Sequence, residues 1–184
     1  MKEITASKRL IFRELIEKDV EDIYELDSDP EVHRYLGNHP IESREEALDI
    51  ILHVRKQYKD KGVGRWAMVH KISGECIGWC GFKVESRNWK SGEYYDLGYR
   101  LKQKHWRKGY GFEAANCCLK YGFQQMELNE ICAAADIDHK GSNRIIQKLG
   151  LQWVKTFEYD QSVQNWYELE KKDWINQQEI TINH

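Results

Sequence analysis

HWRKGYGFEA (residues 105–114) is the most informative stretch of this sequence, because it joins a cationic run to a predicted helix start. From Gly109 onward the pattern is helical, so the backbone N–H groups of the first turn lack intrahelical partners and the helix dipole adds about half a positive charge. Glycines at 109 and 111 have no Cβ, and Arg107 and Lys108 supply charge beside them. These features predict a site for a phosphate or pyrophosphate group. A solvated loop turned by glycines is the alternative.

The overall charge of the chain excludes several classes of partner. Lys and Arg number 28 against 30 Asp and Glu, which gives a net charge of -2 and an isoelectric point of about 6.4. Since no positive field covers the whole surface, we expect no binding to nucleic acid or membrane, and any basic site must be local. The N-terminal MKEITASKRL lacks an apolar signal core, and no window approaches the roughly 20 apolar residues that cross a bilayer. We therefore expect a cytoplasmic protein.

Length and cysteine usage favour one domain with reduced thiols. A chain of 184 residues is long enough for one sizeable core and too short for two, so we expect a single domain over residues 1–184. Five cysteines are an odd number without a secretory signal, which favours buried free thiols over a disulfide framework. Neither Cys76 with Cys80 nor Cys117 with Cys118 has a usual zinc-ligand spacing, and we predict no metal site.

The periodicity of apolar residues predicts a mixed α+β domain. Strand-like alternation and helix-like spacing follow one another along the chain without an internal repeat or linker. Ser43 with Glu46 forms a capping box, and Gly62 and Gly150 are placed to end helices. The predicted strands are 8–15, two within 64–87 around a turn at 73–75, then 92–101, 131–136, 151–159 and 163–170. The predicted helices are 17–29, about 46–60, about 109–125 and 141–150.

Two known phosphate-binding motifs compete for the glycines. A P-loop is excluded, because the sequence contains no Gly-x-x-x-x-Gly-Lys-Ser/Thr. Gly109, Gly111 and Ala114 do match the dinucleotide fingerprint Gly-x-Gly-x-x-Gly/Ala, and Asp136 follows a predicted strand near the expected acidic position. Mostly polar residues at 102–108 nevertheless separate the preceding strand from the glycines, where that fold turns almost at once. A dinucleotide-binding domain stays open as an alternative.

Several motifs in order resemble a known family. WRKGYGFEA (106–114) is similar to the pyrophosphate loop, Gln/Arg-x-x-Gly-x-Gly/Ala, of the GNAT superfamily of acyl-CoA-dependent N-acyltransferases. DLGYRL (96–101) resembles the strand before that loop, and SNRIIQKLGL (142–151) resembles the helix after it. KRLIFREL (8–15) with DPEVHRYLG (29–37) resembles the opening of the branch typified by the ribosomal-protein alanine N-acetyltransferases RimJ and RimL. The resemblance covers nearly the whole chain.

The resemblance implies a fold and a co-substrate. In this family a central, mostly antiparallel sheet is flanked by helices, and two neighbouring parallel strands, here 92–101 and 131–136, splay apart. Acetyl-CoA binds with its pantetheine arm in the gap and its pyrophosphate on backbone N–H groups of residues 107–112, while Glu113 faces away. The residues that the resemblance assigns to coenzyme binding are Tyr99, Arg100, Leu101, Trp106, Arg107, Lys108, Gly109, Tyr110, Gly111, Phe112, His139 and Ser142.

The implied reaction is direct attack of an amine on the acetyl thioester, which requires a base for the amine. Asp96 stands where this branch has Glu, so we predict it as the base, acting through water because its side chain is one methylene shorter. A strand-end carboxylate facing solvent is the alternative, and Glu93 and Glu85 are the other candidates. A backbone N–H near Tyr99 is expected to meet the oxyanion.

The proton donor to the leaving thiolate is the point where the chain departs from the family pattern. Ile146 occupies the place of the tyrosine that many relatives use as the acid. Ser142 remains as a hydroxyl donor, and His139 stands in place of an asparagine that binds pantetheine. The alternatives are that Ser142 caps or opens a helix and that His139 is a surface residue.

The acceptor is an amine, either a small molecule or a protein N-terminus, and the family does not select between them. By analogy with the family, Tyr35, His33 and Trp66 are expected on the acceptor side. A homodimer through the aromatic C-terminal strands is a further expectation. A domain that binds acyl-CoA as a sensor without turnover is the alternative to an enzyme.

Overall fold

The structure, a computed structural model, describes residues 3–182. Within that range an eight-stranded sheet has the order β1-β2-β3-β4-β5-β6-β8-β7. The strands are β1 (Glu3–Ala6), β2 (Leu10–Arg13), β3 (Arg65–His70), β4 (Cys76–Arg87), β5 (Lys90–Leu101), β6 (Glu130–Asp136), β7 (Gln152–Tyr159) and β8 (Ser162–Glu170). The helices are α1 (Val20–Asp27), α2 (Pro30–His33), α3 (Arg44–Lys61), α4 (Tyr110–Gln124), α5 (Lys140–Lys148) and α6 (Lys171–Ile182), with short 3₁₀ turns at Glu17–Asp19 and Gln103–His105.

Neighbouring strands are antiparallel except for β5 and β6. β4 and β5 form a long ladder that begins with Gly78 opposite Leu101. β5 and β6 run parallel, and in the described chain Asp96 opposite Cys132 is the one register pair between them. Toward their carboxyl ends the two strands are not paired with each other. The predicted fold, a mostly antiparallel sheet with one splayed parallel pair and flanking helices, is confirmed.

Helices cover both faces of the sheet. On one face, called the α4 face, Phe123 of α4 is fully buried in the same cluster as Phe82 of β4. Gly122 permits this contact, since a Cβ there would lie 2.7 Å from the Phe82 ring. On the other face, called the α1/α3 face, Ile23 and Ile51 are fully buried in a second cluster over β3 and β4. Each such side chain contributes roughly 1.5–3 kcal/mol by leaving water.

Local capping signals predicted the boundaries of α3 correctly. Ser43 is the N-cap, and its Oγ accepts a hydrogen bond from the N–H of Glu46 at 3.2 Å. Gly62 ends the helix in the left-handed conformation, with φ at 71°. A residue with a Cβ is disfavoured there, so glycine at this position follows from the backbone geometry.

Three elements lie outside the predicted ones. β1 precedes the predicted first strand, and α2 forms a single turn after α1. The predicted strands 151–159 and 163–170 are confirmed as β7 and β8, but they do not end the fold as the sequence led us to expect, because α6 follows β8 directly. α6 has only a weak apolar stripe, and it is anchored by Trp174, whose ring stacks on Phe123 at 5.2 Å. A helix with so weak an apolar stripe lacks the periodicity by which sequence reasoning detects helices.

The cysteines are free thiols, as expected. Cys76, Cys80, Cys118 and Cys132 are buried, and Cys117 is partly buried. Burial raises the pKa of the Cys76 thiol to about 12, which makes this group a poor nucleophile at neutral pH.

The dinucleotide-binding alternative is wrong, because that fold requires a parallel sheet built from repeated βαβ units. In the described part of this chain only β5 and β6 run parallel, and α4 connects these two strands. Among residues 3–182 no helix combines the length and the apolar character needed to cross a bilayer.

Candidate active site

The loop between β5 and α4 has a backbone suited to an anion. Trp106 folds back so that its Nε1 donates to the Leu101 carbonyl at 2.8 Å, which closes the loop on the end of β5. Arg107 and Gly109 are both left-handed, with φ at 59° and 81°. Residues of alternating handedness turn successive N–H groups toward one side, and such concavities bind anions. An arginine in this conformation is uncommon and requires the surrounding structure to hold it there.

The first turn of α4 adds unpaired donors to this concavity. Gly109 is the N-cap of α4, and it offers no side chain to cap the helix. The first intrahelical bond of the turn runs from the N–H of Glu113 to the Gly109 carbonyl at 3.1 Å. The N–H groups of Tyr110, Gly111 and Phe112 therefore have no intrahelical acceptor, and the helix dipole favours a negative charge beside them.

The cationic side chains near the loop fall into two groups. Arg107 and Lys108 are exposed, and among residues 3–182 neither forms an ion pair. Two earlier lysines are instead bound by carboxylates, with pairs from Lys102 to Asp22, Glu25 and Glu75, and from Lys104 to Glu25 and Glu75. Partial burial opposes ionisation of Glu75, but hydrogen bonds from Lys104 and a neighbouring histidine outweigh it and lower its pKa to about 2. Only Arg107 and Lys108 of these four cations are free to meet a ligand.

Gly111 lies against side chains that pack beneath α4. A Cβ at this position would lie 3.2 Å from the Tyr99 ring and 3.3 Å from Ile145, both on the inner side of α4. The space of its missing Cβ is therefore taken by the Tyr99 side chain beneath the helix, while the role of its backbone N–H toward a ligand stays a prediction. A Cβ on Gly109 would instead lie 3.4 Å from Nη2 of Arg9, at the surface of the loop.

Arg9 belongs to the surroundings of the loop, and sequence reasoning missed it. Glu113 is turned toward the β1–β2 turn, where it accepts hydrogen bonds from Ser7 Oγ at 2.7 Å and from Arg9 Nε at 2.6 Å. Arg9 Nη1 also donates to the Lys108 carbonyl at 3.0 Å. The Arg9 guanidinium lies 4.1 Å above the ring of the buried Tyr110. Arg9 and Glu113 are 104 positions apart in the sequence, so no local pattern links them.

A cluster of polar side chains lies where β5 and β6 separate. The Tyr99 hydroxyl donates to Ser142 Oγ at 3.2 Å, and the Ser142 N–H donates to His139 Nδ1 at 3.1 Å. The His139 ring lies 4.6 Å from the Tyr35 ring, centroid to centroid. His139, and not Ser142, is the N-cap of α5, and Ser142 lies in the first turn of this helix. Both predicted donors therefore belong to one connected group.

Burial sets the protonation states in this cluster. It lowers the pKa of His139 and raises the pKa of Tyr99 to about 12. Because His139 Nδ1 accepts a backbone N–H, the neutral imidazole is assigned its hydrogen on Nε2. At neutral pH the cluster contains a phenol, a hydroxyl and a neutral imidazole, all of which can donate hydrogen bonds without carrying charge.

Asp96 lies on the α1/α3 face and is bound by Arg65. Nη2 of Arg65 donates to Asp96 Oδ2 at 2.6 Å, and Nη1 donates to the Asp96 carbonyl at 2.7 Å. Gly98 gives the guanidinium room, since a Cβ there would lie 2.8 Å from Nη2. The alternative of a strand-end carboxylate facing solvent is therefore wrong. Oδ1 of Asp96 has no hydrogen-bond partner in the described chain.

Arg100 directs its side chain to the α1/α3 face, away from the predicted phosphate loop, which is the loop of residues 102–109 between β5 and α4. Its Nη1 contacts Oδ1 of the buried Asp27 and lies 3.4 Å from Nε2 of His33. Desolvation opposes ionisation of Asp27, but its interactions with His33 and Arg100 outweigh this and lower its pKa. Arg100 and Arg65 also lie over the Trp79 ring, at 5.1 and 5.3 Å from its centroid. The Arg100 side chain is therefore held by Asp27, His33 and Trp79.

Of the residues expected on the acceptor side, Trp66 lies in the core instead, so the prediction is wrong for this residue. It is 3% exposed and packs edge-on against Phe82 and Tyr121, with centroids 6.0 and 5.3 Å away. Tyr35 does line a pocket of about 230 Å³ between the loop after α2 and the β7–β8 turn. Its other lining residues are Arg34, Gly37, Asn38, His39, Asp136, Asp160, Gln161 and Ser162.

The other base candidates occupy surface ion pairs. Glu93 is 59% exposed and pairs with Lys61 at the end of α3 at 2.5 Å. Glu85 pairs with Lys83, its neighbour on the same strand. Neither carboxylate has a largely buried partner such as the one that Arg65 provides for Asp96.

One group of side chains in the described residues has the spacing of metal ligands. Ligand atoms of Glu130, Cys132 and Glu168 lie within 4.8 Å of one another. Nζ of Lys90 lies 2.6 Å from the Glu130 carboxylate and 2.7 Å from that of Glu168. Since the ammonium group already forms ion pairs with both carboxylates, we interpret the group as an ion-paired cluster.

The chain is similar to known acetyltransferases along most of its length. Residues 9–152 match the family model described as an acetyltransferase (GNAT) domain. The chain is 33% identical over 149 residues to the uncharacterized N-acetyltransferase YoaA of Bacillus subtilis (strain 168), which spans 81% of this chain and 82% of that protein. It is 29% identical over 147 residues to the uncharacterized N-acetyltransferase p20 of Bacillus licheniformis, with 79% and 80% covered.

Solved structures share the fold. A GNAT-family acetyltransferase from Bacillus anthracis superimposes with a TM-score of 0.76 at 22% identity, over 91% of this chain and 98% of that one. RimL, a ribosomal L7/L12 α-N-protein acetyltransferase in complex with coenzyme A, superimposes with a TM-score of 0.73 at 13% identity, over 92% and 98%. The family match over most of the chain, together with the sheet and its one splayed parallel pair, leads to one conclusion: this chain belongs to the GNAT family of acetyltransferases.

Proposed function

We propose that the protein transfers an acetyl group from acetyl-CoA to a primary amine. The observation that carries this proposal is the unpaired stretch between β5 and β6, directly beside the loop of Arg107 and Gly109. Unpaired strand backbone can bind the amide-containing pantetheine arm, and a concavity of N–H groups at a helix start suits the phosphates.

The chain's own groups would divide coenzyme binding between backbone and side chains. The N–H groups of residues 110–112 and the left-handed loop would hold the pyrophosphate, with Arg107 and Lys108 as exposed charge. Backbone groups of Tyr99 and Arg100 would pair with the arm, whereas the Leu101 carbonyl is already occupied by Trp106. When bound, acetyl-CoA supplies a thioester whose carbonyl carbon an amine can attack.

Asp96 is the proposed acceptor for the amine proton. Arg65 binds Oδ2 and orients the carboxylate, while Oδ1 is left for a water molecule or an ammonium group. Asp96 also stands at the closed end of the gap, because it forms the register pair with Cys132. An amine entering from the α1/α3 face could then give its proton to Oδ1. Such an acceptor works more easily on an α-amino group, with a pKa of about 8, than on a lysine at about 10.4.

Ser142 is the proposed donor to the leaving thiolate. The Tyr99 hydroxyl already donates to Ser142 Oγ, so the hydroxyl hydrogen of Ser142 is free to point at the sulfur. Because burial raises the pKa of Tyr99 to about 12, the phenol stays protonated and this orientation persists at neutral pH. His139, with its hydrogen on Nε2, is the second candidate beside it.

For the acceptor we propose the α-amine of a protein N-terminus, as in the RimJ/RimL branch, or a small amine. RimL, which shares the fold, is named for acetylation of a ribosomal protein. The pocket beside Tyr35 would receive the acceptor, because Asp136 and Asp160 in its wall favour a cationic amine. A sensor without turnover is the competing function.

Calorimetry with acetyl-CoA and with NAD, followed by an amine screen that detects released thiol, tests the proposal. We expect binding of acetyl-CoA alone and thiol release with at least one α-amine. Gly109→Asp should abolish binding, because it adds a side chain and a negative charge at the loop. Gly62→Asp is the matched control, since Gly62 is also left-handed, at φ 71°, and faces open space. Binding without release for every amine would favour the sensor, and absence of binding would refute the use of acetyl-CoA.

A further inference from the structure

We propose that Arg9 binds a phosphate oxygen of the coenzyme and so completes the anion site of the phosphate loop. The inference rests on the proposed use of acetyl-CoA. It adds to that site a residue from the β1–β2 turn, which lies 104 positions before its partner Glu113.

The guanidinium of Arg9 is fixed in place and has one free nitrogen. Nε pairs with Glu113 Oε2 at 2.6 Å, and Nη1 donates to the Lys108 carbonyl at 3.0 Å. Nη2 has no hydrogen-bond partner among residues 3–182, and it lies 3.4 Å from the position that a Cβ on Gly109 would occupy. The free nitrogen therefore faces the left-handed N-cap, where the N–H groups of the anion site converge.

Arg9 differs from Arg107 and Lys108, the two unpaired cations of the site, because its guanidinium is already held in position. Arg107 and Lys108 are exposed and unpaired, so a ligand would have to immobilise their side chains at a cost in entropy. Arg9 is already held, both by Glu113 and by the Tyr110 ring 4.1 Å below it. Its side chain is still 38% exposed, which leaves the guanidinium accessible from solvent.

Arg9 also removes a charge that would oppose phosphate binding. Burial disfavours ionisation of Glu113, but hydrogen bonds from Ser7 and Arg9 outweigh it and lower the pKa of this carboxyl. Glu113 is therefore ionised in the first turn of α4, where an unpaired carboxylate would repel a phosphate. A competing explanation is that Arg9 only neutralises Glu113 and never touches the ligand.

Titration calorimetry of Arg9→Gln with coenzyme A tests the direct contact. Loss of a charge-assisted hydrogen bond should weaken binding roughly ten- to hundredfold. Arg44→Gln is the matched control, because Arg44 forms an equivalent pair with Glu21 at 2.6 Å and also lies over a tyrosine ring, Tyr24. This control should bind coenzyme A as the wild type does. The same titration with 3′-dephospho-coenzyme A identifies the phosphate: a loss with both ligands indicates the pyrophosphate, and a loss confined to coenzyme A indicates the 3′-phosphate.

A second variant separates the two explanations. If Arg9 is a ligand, adding Glu113→Gln to Arg9→Gln should leave the affinity low. Recovery of wild-type affinity in this double variant would overturn the proposal in favour of neutralisation. Should Arg9→Gln lower the ligand-free melting temperature, Arg9→Lys keeps the charge and should bind with intermediate affinity. Wild-type protein that binds no coenzyme A would refute the proposed function itself, whereas equal binding by wild type and Arg9→Gln would refute only the role of Arg9.

Discussion

Replacing Asp96 with asparagine removes the negative charge but keeps the size of the side chain and its place in the fold. Asparagine retains an oxygen that can accept from Arg65 Nη2, so a charge-assisted hydrogen bond becomes a neutral one. The two side chains are 12% and 22% exposed, and the difference between these bond types is about 1 kcal/mol. We therefore expect Asp96→Asn to fold, with a loss of about 1 kcal/mol in the free energy of unfolding.

Turnover of Asp96→Asn should fall much further than its stability. General acid–base catalysis contributes about 10²- to 10⁴-fold, so kcat should fall by that factor if Asp96 accepts the amine proton. The loss should shrink as pH rises past the pKa of the acceptor amine, about 8 for an α-amine, because the amine then deprotonates unaided. The affinity for acetyl-CoA should stay unchanged, since Asp96 lies on the opposite face from the phosphate loop.

The assay is kcat against pH with one good acceptor, accompanied by calorimetry with acetyl-CoA. Glu93→Gln is the control, because it removes a carboxylate from the same strand that pairs with Lys61 at the surface. This control should retain turnover. A loss in Asp96→Asn that is independent of pH, or full activity at neutral pH, would show that Asp96 is not the proton acceptor.

Tyr99→Phe should lower turnover roughly two- to tenfold, because Ser142 loses one hydrogen bond worth about 0.5–1.5 kcal/mol. Steady-state kinetics should show a larger loss in Ser142→Ala, and wild-type rates in Ser142→Ala would transfer the donor role elsewhere. Gly111→Ala should cost roughly 1–3 kcal/mol in denaturant unfolding, since its Cβ would lie 3.2 Å from Tyr99 and 3.3 Å from Ile145. Unchanged stability would mean that α4 can shift outward freely. Glu75 has a folded pKa of about 2 against an ordinary value of 4.5, so its contribution to stability is present above pH 4.5 and is lost as pH falls toward 2. The melting temperature of Glu75→Gln should fall less steeply with decreasing pH than that of the wild type, and an equally steep fall would contradict this assignment.

The helix start after the cationic run could be predicted from the sequence because its physics is local. A helix start leaves N–H groups unpaired whatever lies elsewhere in the chain, and the cations of residues 105–108 are adjacent to it. The capping box at Ser43 was predictable for the same reason, since both partners lie within one turn. Periodicity likewise identified the strands on either side of the gap, although it could not state their register.

The partners that give site residues their properties were not predictable, because they come from distant parts of the chain. Asp96 reads as an isolated strand-end carboxylate until β3 brings Arg65 to within 2.6 Å of it. Gly111 reads as part of a ligand loop, and only packing reveals that the Tyr99 ring occupies the space of its missing Cβ. His139 reads as a loop residue, although it caps α5. Such assignments depend on tertiary contacts rather than on local pattern.

The register pair between Asp96 and Cys132 has a consequence for how ligand binding would stabilise the protein. In the described chain it is the one ladder position that joins the five strands β1 to β5 to the three strands β6, β8 and β7. A pantetheine arm bound between β5 and β6 would act as a bridge across this seam. A ligand that binds only the native state adds about 2.7 kcal/mol of stability at a hundredfold excess over its dissociation constant. If the protein binds acetyl-CoA as proposed, its resistance to proteases would then rise with the concentration of acetyl-CoA.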